Sequence, residues 1–83
     1  MSVLPRHRIR TLMGAVLSTQ GRSLPEDDAA ALQDIGFRSL DFSELALRVE
    51  DEVGSELNFE AAGLRQITTV GDVLDLVEEI QIP

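Results

Sequence analysis

The chain has 83 residues, enough for one domain and too few for a second. It has no cysteine and a single histidine, His7, which excludes disulfide staples, thiolate metal sites and a histidine-built metal centre. Fifteen acidic residues stand against seven basic ones, all arginine, and eleven of the acids follow Leu40, where only Arg48 and Arg65 oppose them. An acidic second half repels phosphate backbones, so nucleic acid is not an expected partner. The same charge should steer basic protein surfaces toward the chain, although net charge also serves solubility alone. No apolar run is long enough to span a bilayer. The stretch after Arg6, Arg8 and Arg10 is short and periodic and lacks a cleavage site, so no signal peptide is read and the cytoplasm is the expected compartment.

The first periodic segment runs from Pro5 to Ser18. Ile9, Leu12, Met13, Val16 and Leu17 recur at spacings of three and four, one stripe of an amphipathic helix. Pro5 is tolerated only at a helix start. The three arginines oppose the helix dipole there, which predicts a frayed, solvated end. His7 is expected to be exposed and without a role.

Gly21 to Arg38 reads as a long ordered loop, anchored by Leu24, Leu32, Ile35 and Phe37 and strapped across the bundle. Ser23-Leu24-Pro25-Glu26 has the composition of a short helical turn. A second helix is predicted from Ser39 or Leu40 to Val53, with Phe42, Leu45, Val49 and Val53 inward and Gly54 as its stop. Ser39 falls at the N-cap, Asp41 lies in the first turn, and Glu44 and Arg48 form an i,i+4 pair. Asp41, Glu44, Asp51 and Glu52 are assigned to the outer face. Phe59 to Leu64 is read as one or two further turns. Thr69 then caps a final helix, with Asp72 in the capping-box position and Val70, Val73, Leu74, Val77 and Ile80 inward. The predicted fold class is all-α: a four-helix bundle of three main helices and one short one, with a long ordered loop between the first and second.

Ser39 by itself is an ordinary capping residue. Its surroundings carry more. Gly36-Phe37-Arg38-Ser39-Leu40-Asp41, continued by Phe42-Ser43-Glu44-Leu45, resembles the attachment motif of the acyl carrier protein family. Leu32-Gln33-Asp34-Ile35 is similar to the loop end before that motif. Val49-Glu50-Asp51-Glu52-Val53 is similar to the family's acidic second-helix end, and Ile67-Thr68-Thr69-Val70-Gly71-Asp72 to the lead-in of its last helix. The resemblance implies a 4'-phosphopantetheine arm, transferred from coenzyme A to the Ser39 hydroxyl by a phosphopantetheinyl transferase. The arm would carry an acyl or aminoacyl group as a thioester, supplied by a loading ligase and passed to downstream synthase or transferase enzymes. It further implies a monomer, itself not an enzyme, whose partner-binding residues are Leu40, Asp41, Glu44, Leu47 and Asp51.

Three departures qualify the match. Arg38 stands where the family usually has Asp. It either pairs with the arm's phosphate after attachment or repels the transferase's basic surface. The linker between Leu57 and Ile67 is longer than in fatty-acid carriers, and Ser43 replaces an apolar partner-facing residue. Together these point toward a specialised biosynthetic pathway. Phe42 either fills the space of an acyl chain or completes the core with Phe37 and Phe59, and the second is the simpler account. The alternative function is an unmodified carrier-like module for protein–protein interaction. A small enzyme finds no support, since no cysteine and no phosphate-cradling glycine loop is present. A calcium module would need a loop of regularly spaced oxygen ligands, which is also missing.

Overall fold

Pro5, extended at φ −72° and ψ 161°, caps the first helix, α1 (Arg6–Ser18). Its five expected inward residues, Ile9, Leu12, Met13, Val16 and Leu17, are all buried. The computed structural model describes residues 3–57 and 66–81, and the predicted turn at Phe59–Leu64 lies outside them. Among the described residues there are three further helices: a short α2 (Leu32–Ile35), then α3 (Ser39–Val53) and α4 (Val70–Ile80). The described residues are thus mostly helical, with three longer helices and one short one, and α1 packs against both α3 and α4. None of the described helices is long and apolar enough to cross a membrane.

One aliphatic core joins the helices. Ile9, Met13 and Leu17 of α1 meet Leu45 and Val49 of α3 and Val70, Val73, Leu74 and Val77 of α4, with Phe37 from the loop. Phe42 is half-buried and packs against this cluster. On α4 the periodicity needs one adjustment: Leu76 is buried, while Ile80 is only half-buried.

The loop between α1 and α3 is ordered by backbone bonds to the start of α4. Leu32 N–H donates to the Thr68 carbonyl at 2.9 Å, Val70 N–H to that of Ala30 at 3.0 Å, and Gly71 N–H to that of Asp28 at 2.8 Å. These bonds satisfy N–H groups that a helix start leaves unpaired. A Cβ on Gly71 would sit 3.2 Å from the Asp28 carbonyl oxygen, so glycine permits this approach. The helical turn expected at Ser23–Glu26 is absent. An Asx turn follows instead, the Asp27 carboxylate accepting the Ala29 N–H at 2.9 Å, and the loop's helical turn forms later, as α2.

The amino-terminal arginines are a second correction. They are not a frayed end. The Arg6 guanidinium donates to Asp75 at 2.8 Å, Glu78 at 2.5 Å and Asp28 at 3.0 Å. Arg10 joins the Asp28 carboxylate and the Pro25 carbonyl, and Arg8 pairs with Glu52 of α3. The unfavourable dipole is offset by carboxylates from distant parts of the chain, which local sequence cannot reveal.

These pairs set a pH dependence. The Arg6 hydrogen bond, followed by those from Arg10, holds Asp28 below its ordinary 3.8, and Arg8 holds Glu52 below its ordinary 4.5. Asp72 is lowered by the Thr68 and Thr69 backbone N–H groups. A depressed folded-state pKa means that the unfolded chain binds more protons in acid. The stabilisation is therefore present above the ordinary carboxylate range and lost as pH falls through the folded values. The expected result is a lower urea midpoint at pH 3 than at pH 7. Salt should weaken the arginine pairs more than the Asp72 cap. An unchanged midpoint between the two pH values would contradict these assignments.

Candidate functional site

The approach to Ser39 is fixed before the helix begins. Gly36 closes α2 at φ 72°, a left-handed conformation that glycine adopts without cost. The Arg22 guanidinium lies over it, donating to the Ile35 carbonyl at 3.4 Å, and a Cβ at Gly36 would collide with that guanidinium. Phe37 then turns into the core. The extended Arg38, at φ −113° and ψ −179°, delivers the chain to α3.

The cap of α3 differs from the sequence expectation. Arg38 occupies the N-cap and Ser39 is the first helical residue. An arginine side chain has no acceptor, so it satisfies none of the orphan N–H groups. Asp41 supplies the capping bond instead: its Oδ2 accepts the Arg38 backbone N–H at 2.8 Å. Its Oδ1 accepts from the Gln20 side-chain amide, just past the end of α1. Asp41 is consequently only 6% exposed. This corrects its assignment to the partner-facing rim, because both carboxylate oxygens are engaged within the chain.

Ser39 is exposed, and its hydroxyl has no hydrogen bond among the described residues. The N–H groups of Ser39, Leu40 and Asp41 belong to the first turn, where a helix offers donors and the positive end of its dipole. Arg38 is exposed beside them and forms no ion pair among the described residues. An added phosphodiester at Ser39 would lie at this donor-rich helix start, next in sequence to the exposed Arg38 cation, so the residues present fit such a group.

Along α3, Ser39, Leu40, Ser43, Glu44, Leu47 and Asp51 span an arc of roughly 140° at 100° per residue. Leu40 is 84% exposed and Leu47 68%, both large apolar side chains open to solvent. They lie one behind the other at i and i+7. Ser43 and Asp51 are also exposed. Glu44 shares this face, but it is half-buried and pairs with Arg48 at 3.3 Å. The structure therefore brings Ser39, Leu40, Glu44, Leu47 and Asp51 to one surface and removes Asp41 from it.

Sequence reasoning missed two supporting residues, Gln20 and Arg22. Each reaches its target through a side chain from a segment well separated in sequence, and no local pattern marks either. No model of a known protein family matches the chain, and no solved structure matches it.

Proposed function

We propose that the chain is a carrier protein that holds an acyl or aminoacyl thioester on a 4'-phosphopantetheine arm at Ser39. The observation that carries this reading is the exposed Ser39 hydroxyl at the first turn of α3, behind a turn fixed by Gly36, Phe37 and Asp41. Its attachment-motif resemblance gives that exposure a chemical meaning. When bound, the arm supplies a terminal thiol for thioester formation. The chain's own residues contribute the attachment oxygen, first-turn N–H donors and the Arg38 charge at the phosphate, and an apolar face at Leu40 and Leu47 for the enzymes that load and unload it. Leu40 and Leu47, one behind the other and both open to solvent, offer an apolar contact that a partner could bury.

The test is to incubate the full chain with coenzyme A and several phosphopantetheinyl transferases and to weigh it. The expected result is a gain of one phosphopantetheine with at least one of them. No gain with any, beside a control carrier that is modified, would overturn the proposal. Arg38 favours one competing reading, an unmodified interaction module, because a cation next to Ser39 disfavours a basic transferase surface. That module would bind its partner equally well after Ser39→Ala.

A further inference from the structure

Asp41 is a buried carboxylate with no cationic partner among the described residues. Its two acceptors are divided between two segments. Oδ2 holds the Arg38 N–H at 2.8 Å, and Oδ1 holds the Gln20 side-chain amide. Arg38 directly precedes Ser39. Gln20 belongs to the tight turn that ends α1, where its own N–H donates to the Leu17 carbonyl at 2.9 Å. Leu17 is fully buried, so this turn is anchored in the core. A chain of bonds thus runs from the core end of α1 through Gln20 and Asp41 to the Phe37–Arg38 peptide, one residue before Ser39.

We propose that Asp41, braced by Gln20, is the positioning residue that fixes the orientation of the Ser39 hydroxyl toward the enzyme that modifies it. This rests on the carrier reading above. The reason is geometric. An N-cap arginine cannot hold its own turn, and an N1 serine has no capping bond to restrain it. The Asp41 carboxylate ties the Phe37–Arg38 peptide, through Gln20, to the end of α1, while the Arg38–Ser39 peptide is held by the Phe42 N–H on the Arg38 carbonyl at 2.9 Å. Misplacement of a nucleophile lowers the rate of the step that uses it, while contacts made elsewhere, here at Leu40 and Leu47, still govern binding.

The experiment follows modification of the full chain by a broad-specificity phosphopantetheinyl transferase with coenzyme A. Wild type, Gln20→Ala, Asp41→Ala, the double variant and Asp41→Asn are compared, with circular dichroism and urea midpoints measured in parallel. Gln20→Ala is expected to lower kcat about fivefold and Asp41→Ala about tenfold, with KM within about twofold of wild type. The double variant should match Asp41→Ala, since Gln20 acts through Asp41. Asp41→Asn should recover most of the rate, because its carbonyl still accepts the Arg38 N–H and the Gln20 amide can reverse to meet its NH2. Unchanged kcat in both alanine variants would overturn the proposal, as would additive effects confined to KM, which would mark direct partner contacts. If Asp41→Ala loses its helicity, Gln20→Ala and Asp41→Asn decide the question. A wild-type chain that no transferase modifies, beside a working control, removes the carrier reading and this proposal with it. Modified wild type with unaffected variants removes this proposal alone.

Discussion

Ser39→Ala should abolish attachment of the arm completely while leaving the fold almost untouched. The functional half follows from chemistry: alanine has no oxygen to form the phosphodiester. The structural half follows from the position of Ser39 in α3. Had Ser39 been the N-cap, its replacement by alanine would cost about 1 kcal/mol. It is instead the first helical residue, and Asp41 makes the capping bond to Arg38. Alanine is favourable inside a helix, so the change in stability should stay within about 0.5 kcal/mol. Intact mass after transferase treatment and a urea titration measure the two halves separately. Ser43 is the internal control. It is exposed one turn further along the same face, and Ser43→Ala should leave the mass gain intact. A mass gain that survives Ser39→Ala and disappears with Ser43→Ala would move the site.

Leu45→Ala has the largest expected effect on stability. Leu45 is fully buried, on the inward face of the helix that carries Ser39, and belongs to the single aliphatic core. Truncating a buried leucine removes its transfer free energy and leaves a cavity, which together cost about 2–5 kcal/mol. At roughly 0.05–0.15 kcal/mol per residue, a domain of this size has only about 4–12 kcal/mol in total. The thermal midpoint should fall by more than about 10 °C. Leu47→Ala, two residues along and 68% exposed, should change stability by no more than about 0.5 kcal/mol. Thermal melts followed by circular dichroism check both. Equal losses in the two variants would contradict the division of α3 into a core face and an open face.

That division was legible in the sequence, because helical periodicity is a local property. The burial of Ile9, Leu12, Met13, Val16 and Leu17 follows directly from their spacing, as does that of Leu45, Val49 and Val53. The Thr69 cap with Asp72 was readable for the same reason, since both partners lie within one turn. Most of the misreadings concern contacts between distant segments or a choice between adjacent positions. Arg6, Arg8 and Arg10 looked unpaired because Asp28, Glu52, Asp75 and Glu78 are far away in sequence. Asp41 looked like a surface acid because its register is compatible with either face, and only the Gln20 amide shows which way it turns. The cap moved from Ser39 to Arg38 because an N3 carboxylate can cap the turn whatever the N-cap residue is. The short helix α2 was missed because four residues, Leu32–Ile35, are too few to show a period. Its formation depends on Gly36 and on the backbone bond from Leu32 to Thr68.

At the candidate site, local sequence placed Ser39, Leu40, Leu47 and Asp51 on one surface. It did not show how the turn before Ser39 is held. Gly36 under the Arg22 guanidinium, and Asp41 between Arg38 and Gln20, form that support. The Arg22 and Gln20 contacts join the loop and α3 to the segment that follows α1, and closing such distances is the work of tertiary packing rather than of propensity.

The most direct test of the carrier reading is the intact mass of the protein purified from its native host, with fragmentation to locate any added group. The account predicts a phosphopantetheine on Ser39, alone or bearing a thioester-linked acyl or aminoacyl group. An unmodified mass throughout, in a preparation where another carrier from the same cells bears its arm, would contradict it.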